Sequence, residues 1–311
     1  MAEYTGEEVV RALVVSSSVV VGRVGLRASV PPLETAGVDA MPLATCQLSN
    51  HLGYPGGAGG QFFTPEMVAG VRKGLADNRL FARLRYVITG FLGKVDFASA
   101  LMDLLDDASA AAPDAIVVVD PVLGDGMRLY LPSEMVDLLI RTVVPRASVI
   151  TPNTTELLLL AGRSLDDGAF TNAADLVAAL DTVHGLGVRT IVLTSVDPAA
   201  DGAPGSVFDP ARVSALVSDA ATGIRTLIHV PRIDANFVGT GDLFSGLLVG
   251  WHAKLGAAST EWVEPAARAI ADMQRVLTAT PPGSELRLTA SLDALFAADA
   301  PFPEPQRWSP S

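Results

Sequence analysis

"DAIVVVDPVLGDG" occupies residues 114–126, and its first half decides the class of fold. Ile116, Val117, Val118 and Val119 follow one another with no polar residue between them. β-Branched side chains favour strand, and an apolar run without alternation suits a parallel strand covered on both faces. The run ends at Asp120, and Pro121 forces an extended exit. Asp125 then falls in a turn flanked by Gly124 and Gly126. Working outward, the same pattern recurs in "RALVVS" (11–16), "GVDAMPLAT" (37–45), "LRYVITG" (84–90), "RASVIT" (146–151) and "VRTIVLTS" (188–195). Helical spacing occupies 64–78, 96–109, 133–144, 171–187, 241–256 and 259–280, with Pro265 marking a bend or boundary in the last. Strand and helix alternate, which predicts an α/β fold: a three-layer α/β/α sandwich around a mainly parallel central sheet.

Three segments break the rhythm. "HLGYPGGAGG" (51–60) is glycine-rich and reads as a mobile loop. Residues 214–233 read as a β-hairpin turning near "ATG". Residues 299–311, "DAPFPEPQRWSPS", read as a poorly ordered Pro-rich tail after a single domain over 1–298.

Composition narrows the chemistry. The chain has 311 residues, 49% of them hydrophobic, enough for a sizeable core. Its formal net charge of −12 and the lack of a Lys/Arg-rich run argue against nucleic acid as a partner. Cys46 is the single cysteine, so an intrachain disulfide is impossible; a small buried residue is its ordinary reading. The N-terminal apolar run is broken by serines and a glycine and begins acidic, so neither a secretory signal nor a membrane span is expected. A soluble, cytoplasmic protein is the expectation. No Walker A loop, complete dinucleotide fingerprint, nucleophile elbow or H-E-x-x-H is present.

Polar residues stand where the parallel strands end: Asp120, Thr151, Asn153, Thr194 and Ser195. Ligands of open α/β sheets bind at that edge. Asp120 and Asp125 have the hard oxygens that suit magnesium through its water shell, or are simply turn aspartates. In "ITPNTTELLLLAG" (150–162), Asn153 or Thr154 caps a helix whose first turn holds Glu156. Glu156 is either good capping or a rim carboxylate helping to organise magnesium. "NFVGTGDLFSG" (236–246) gathers bare amides at a helix mouth, an anion cradle made of Gly239, Thr240 and Gly241. Asp242 beside it can take the proton of an attacking hydroxyl, an arrangement that suits phosphoryl transfer to an alcohol. His51, beside the glycine-rich loop, is the histidine of most interest.

These motifs together resemble the pyridoxal kinases of the ribokinase superfamily, in order from about residue 11 to about residue 290. "SSSVVVGRVG" (16–25), "CQLSNHLGY" (46–54), "VITGFLG" (87–93), "DPVLGD" (120–125), "ITPNTTELLLLAGR" (150–163), "FVGTGDLFSGLL" (237–248) and "ELRL" (285–288) carry the resemblance. It implies a ribokinase-like fold with a small flap over the site, and ATP-dependent phosphorylation of the 5′-hydroxymethyl group of pyridoxal, extending to pyridoxine and pyridoxamine. It implies Asp242 as base, with Gly239, Thr240 and Gly241 as anion hole. Ser17, His51, Leu52 and Phe91 would face the substrate. Asp120, Thr151, Asn153, Glu156, Thr194 and Ser195 would meet the nucleotide phosphates or their ions, and Ile233, Phe237 and Val238 would border the adenine. Asp120, Asp125 and Glu156 would organise Mg2+, and Asp120 with Thr151 a monovalent cation (K+ or Na+). A homodimer is implied as well. Leu52 and Phe91 stand where the family usually has threonine and tyrosine, which leaves the acceptor less fixed than the phosphoryl transfer. The alternatives are a hydroxymethylpyrimidine kinase and a non-catalytic protein that binds pyridoxal or its phosphate.

Overall fold

The computed structural model describes residues 9–170, 172–196 and 211–309. The acidic start of the chain (1–8) and Thr171, expected as a helix-capping residue, lie outside the described residues. In chain order come β1 (Arg11–Val19), α1 (Leu26–Thr35), β2 (Asp39–Leu48), β3 (Gly60–Phe62), α2 (Pro65–Asp77), β4 (Leu84–Thr89), α3 (Val95–Ala111) and β5 (Ile116–Val119). A short ribbon, β6 (Gly124–Asp125) and β7 (Arg128–Leu129), precedes α4 (Ser133–Leu138), β8 (Val149–Ile150), α5 (Thr154–Leu160) and α6 (Ala173–His184). The chain continues through β9 (Thr190–Val196), β10 (Arg212–Asp219), β11 (Arg225–Pro231), α7 (Thr240–Lys254), α8 (Val263–Ala279), α9 (Leu288–Ser291) and β12 (Gln306–Trp308).

Ten of these strands form one sheet in the order β12-β11-β10-β9-β8-β5-β4-β1-β2-β3. Pairing is parallel from β9 through β8, β5, β4 and β1 to β2. Both margins are antiparallel: β3 on β2 at one side, β10, β11 and β12 at the other. The unalternated strands bury both faces. Leu13, Val15, Val87, Val117, Val119, Ile191 and Leu193 point into the core shared with α3, α4, α5 and α6. Their neighbours Ala12, Val14, Tyr86, Ile88, Val118, Val149 and Val192 point into the core shared with α1, α7 and α8. Side chains alternate across a strand, so one apolar run supplies two cores.

The structure differs from the sequence reading in three places that matter for the site. The first is α1, which was not expected because Pro31 and Pro32 lie inside it. Proline at 31 cannot donate to the Arg27 carbonyl; Arg23 Nη1 donates to that oxygen instead, at 3.3 Å. Helix α1 lies close against α7, where a Cβ on Gly246 would meet the Ser29 carbonyl at 2.4 Å. The second is the glycine-rich loop. Gly60 is part of β3, and residues 49–59 hold themselves together: Ser49 N donates to Gly59 O at 2.7 Å, and Asn50 Nδ2 to Gly57 O at 2.9 Å. The third is the tail. Residues 306–308 pair with β11, and Trp308 is buried, so an apolar ring on a sheet edge outweighs the disorder expected from the prolines around it. A smaller difference is a helix at 263–279 with Pro265 in its first turn, where proline is tolerated; Cys46 is buried, as expected. No described helix is long and apolar enough to cross a membrane.

Candidate active site

Strands β1, β4, β5, β8 and β9 end on the same edge of the sheet. The chain leaves β1 for β2 on one side and later returns to β4 on the other, so the strand order switches between β1 and β4. A crevice opens at such a switch point. Helix α7 begins there. Its N-cap, Gly239, has φ 85° and ψ 11°, a left-handed conformation open to glycine. A Cβ at this position would stand 1.9 Å from the Arg23 carbonyl, so the turn between β1 and α1 also requires the missing side chain. No side chain caps the first turn of α7. Its amides at Thr240 and Gly241 therefore present the positive end of the helix dipole to the crevice.

Asp242 sits in that first turn, half-buried. The Gly25 amide and the Ser16 hydroxyl, 3.4 Å from Oδ1, both donate to its carboxylate. Burial nevertheless dominates and pushes the carboxyl up to about 6. Ser16 is itself fixed, because its Oγ accepts the Phe91 amide at 3.2 Å. Asp120 lies across the crevice: a Cβ on Gly241 would be 3.4 Å from its Oδ2. Asp120 and Asp242 line one small cavity together with Ser16, Ser29, Thr89 and Ser245. Burial, then the charges of Glu156 and Asp242, raise the Asp120 carboxyl well above its ordinary value. Among the described residues its side-chain donor is Ser245 Oγ at 3.4 Å, and Ser245 also meets the Thr151 hydroxyl at 3.3 Å.

Glu156 is not at the rim. It is 5% exposed, and both carboxylate oxygens accept backbone amides, from Leu123 at 3.1 Å and Asn153 at 2.9 Å. Burial still pushes it up to about 8. Asn153 completes the capping box on α5, its Oδ1 accepting the Glu156 amide, and its Nδ2 donates to Gly124 O at 2.8 Å. The cap therefore ties α5 to the β6 turn that carries Asp125. Asp125 is exposed and accepts the Gly126 amide. Among the described residues, Asp120, Glu156 and Asp242 form no ion pair. Three acids thus gather without a basic partner, a costly arrangement unless a cation or phosphate-bound metal joins them.

Beyond the ends of β8 and β9 lies a second cleft of about 200 Å3, lined by Asp125, Thr154, Ser195, Val213 and Arg232 among others. Thr194 is not among its lining residues; its Oγ1 donates to Pro152 O at 3.2 Å. Ile233 and Phe237 pack on the α7–α8 core, whereas Val238 is exposed beside the cradle. On the opposite flank Ser17 is buried, with its Oγ and carbonyl against Gly25. Phe91 joins Val19, Cys46, Leu48, Val24, Ala58 and Phe62 in a small apolar cluster under the loop at 49–59. Leu52 is 58% exposed at the tip of that loop, and His51 turns toward Glu285, with Nε2 3.5 Å from its carboxylate.

The sequence model of the phosphomethylpyrimidine kinase family matches residues 69–278. The human pyridoxal kinase is 31% identical over 253 residues, covering 80% of this chain and 79% of the human one. The Arabidopsis thaliana pyridoxal kinase is 33% identical, covering 78% of this chain and 74% of that protein. The chain belongs to the pyridoxal kinase family. Among solved structures, the Leishmania donovani pyridoxal kinase in complex with ADP and pyridoxamine superposes with a TM-score of 0.84 at 27% identity, over 96% of this chain and 99% of that one.

Within this pyridoxal kinase fold, four residues of the crevice were not singled out from sequence. Ser16 holds Asp242, Ser245 links Asp120 to Thr151, Thr89 lies fully buried beside both acids, and Glu285 meets His51. Strand parity would have found Ser16, which shares a face with Ala12 and Val14 and so faces α7. Helical spacing would have found Ser245, one turn beyond Gly241. Glu285 opens the "ELRL" stretch of the resemblance, but nothing local points to its partners, which are more than 200 residues away.

Proposed function

We propose that this chain transfers the γ-phosphoryl group of ATP to the 5′-hydroxymethyl group of pyridoxal, giving pyridoxal 5′-phosphate and ADP. Pyridoxine and pyridoxamine are further acceptors, and the reaction is one of vitamin B6 salvage. The observation that carries this reading is Asp242: a carboxylate held by Gly25 and Ser16, with its pKa pushed up to about 6, beside uncapped amides at the start of α7. The naming of the relatives as pyridoxal kinases, one of them with ADP and pyridoxamine bound, supports the choice of substrates.

The acceptor hydroxyl gives its proton to Asp242 as its oxygen bonds to the γ-phosphorus. The bond from that phosphorus to the β,γ-bridging oxygen breaks, and ADP leaves with the electron pair. The amides of Gly239, Thr240 and Gly241 face the charge spread over the transferring oxygens, so most of the catalysis is positioning and electrostatics. A carboxyl near 6 is mostly ionised at neutral pH yet basic enough to accept the proton. Thr151, Asn153, Thr194 and Ser195 line the phosphate side, while Ile233, Phe237 and Val238 border the adenine. Ser17, His51, Leu52 and Phe91 flank the acceptor.

Magnesium fits this donor set. Asp120 and Asp125 offer hard oxygens, and Glu156, its oxygens accepting the Leu123 and Asn153 amides, shapes the turn that carries Asp125; Asp120 and Glu156 are buried without a basic partner among the described residues. No group of three or more acidic, His or Cys side chains makes a ready metal cage among the described residues. Magnesium needs none, since it keeps waters and leans on one or two carboxylates plus phosphates. When bound, it neutralises phosphate charge. Asp120 and Thr151 also suit a monovalent cation. Family resemblance carries the homodimer and the cytoplasmic setting.

The test is a panel of acceptors with ATP and magnesium: pyridoxal, pyridoxine, pyridoxamine and hydroxymethylpyrimidine. ADP and a 5′-phosphorylated vitamer should form together. Turnover on hydroxymethylpyrimidine alone would move the assignment to that acceptor, and no turnover with any of them would retire it.

A further inference from the structure

Three distant parts of the chain meet on one carboxylate. Glu285 lies between α8 and α9. Its Oε2 accepts the Arg23 amide at 2.9 Å, and its Oε1 accepts the Tyr54 phenol at 2.7 Å. His51 Nε2 stands 3.5 Å from the same Oε1. His51 and Tyr54 belong to the loop at 49–59, and their rings meet edge to face at 4.6 Å. Among the described residues, no other hydrogen bond or ion pair ties residues 51–57 to the chain beyond that loop. Arg23 belongs to the turn between β1 and α1. Its carbonyl is the group packed against Gly239, and two residues later the Gly25 amide donates to Asp242. Even Gly22 is involved, since a Cβ there would press on both oxygens of Glu285 at 3.1 Å.

From these contacts we infer that Glu285 is a positioning residue that latches the 49–59 flap over the acceptor side of the crevice, in register with the Gly239 cradle. The role rests on the kinase reading above for its purpose, though not for its geometry. A flap rich in glycine loses much backbone entropy when it settles in one place. One carboxylate taking a phenol and an amide, with the His51 ring 3.5 Å from the same oxygen, is a strong way to offset that loss, because hydrogen bonds to carboxylates are the stronger kind. The register matters chemically: an open flap admits water, which then competes with the acceptor hydroxyl for the γ-phosphoryl group. The same carboxylate that holds the flap tip holds the turn on which Gly239 rests, so closure and the cradle share one anchor.

The test compares Glu285→Ala, Glu285→Gln and Tyr54→Phe with the unaltered full chain. Hydrogen exchange of the amides at 50–60 reads the flap without turnover. Glu285→Ala and Tyr54→Phe should speed it by about tenfold, while amides in α3 and α6 stay as they were. In steady state, KM for pyridoxal should rise by a similar factor, KM for ATP should not, and more ADP should form per phosphorylated vitamer. Glu285→Gln, which can still accept one donor, should fall between. Unchanged exchange at 50–60 in both Glu285→Ala and Tyr54→Phe overturns the latch, as does a rise in KM shared equally by ATP and pyridoxal. Should Glu285→Ala fail to fold, Tyr54→Phe decides alone, since it removes only the phenol contact. If the unaltered chain turns over no vitamer, the kinase reading fails while exchange still judges the latch.

Discussion

Asp242→Asn separates the chemical role of this side chain from its cost to the fold. Asn keeps the shape, and its Oδ1 can still accept from Ser16, so the crevice should stay formed. What disappears is the proposed base. Loss of general-base help predicts a fall in turnover of roughly 10²–10⁴, with affinity for ATP and pyridoxal little changed. Stability should move the other way. Burial raises this carboxyl from an ordinary 3.8 to about 6. Between those values the folded chain holds a proton that the unfolded chain has lost, so stability falls as pH climbs through that window. At ~1.4 kcal/mol per pH unit, the ionised Asp242 costs up to ~3 kcal/mol at pH 7. Urea unfolding at pH 7 should therefore show the variant more stable by ~1–3 kcal/mol, with the gain much smaller near pH 4. In the unaltered chain, kcat/KM should rise about tenfold per pH unit below the pKa near 6 and level off above it. A variant within tenfold of normal turnover sinks the base assignment. A variant less stable at pH 7 sinks the electrostatic account of the site.

Other perturbations read other parts of the crevice. Gly239→Ala combines a left-handed backbone with a Cβ that would strike the Arg23 carbonyl; turnover should fall by roughly 10²–10³, the usual cost of displacing an anion-hole donor, and a change under fivefold would show the cradle to be dispensable. The nucleotide-free protein should lose thermal stability between about pH 7 and 8, the upper part of the rise of Glu156 from 4.5 to about 8. His184, His229 and His252, lowered by burial, act in the opposite sense only below their ordinary 6.5. Magnesium with ATP should flatten that loss, and a rising midpoint over the same window would contradict it. Trp308→Ala should cost about 3 kcal/mol and lower Tm by roughly 5–10 °C, with kcat at 25 °C unmoved; an unchanged Tm would mean that β12 adds nothing to the sheet.

The parallel core was legible because each central strand buries both faces, which writes β-branched runs such as Ile116–Val119 straight into the sequence. Helix α1 was not, because Pro31 and Pro32 remove local helical signal and the compensation comes from Arg23, outside the helix. The tail failed for a related reason: the prolines of 301–305 dominate the composition, while the stabilising contact is one buried Trp308 that pairs with Arg225, 83 residues earlier in sequence. In the site the distinction is sharper. Asp120 and Asp242 could be read in place because strand ends and helix starts are where such folds put ligands. Ser16 against Ser17 is a question of strand parity, and Glu156 at the rim against Glu156 in a buried capping box is a question of which amides converge on it.

That second question bears on how the acids divide their work. Glu156 spends both oxygens on the amides of Leu123 and Asn153, and through Asn153 it fixes the carbonyl of Gly124. Asp125 is the next residue. The buried acid therefore shapes the turn that carries the exposed one, while Asp120, with a single weak donor in Ser245, keeps lone pairs free toward the crevice. A cation arriving with the phosphates would find Asp120 and Asp125 available and Glu156 already committed to holding them apart at the right spacing. Loss of Glu156 should then weaken magnesium indirectly, through a displaced β6 turn. Such a loss should be visible in the stability of the ligand-free protein before any nucleotide is added.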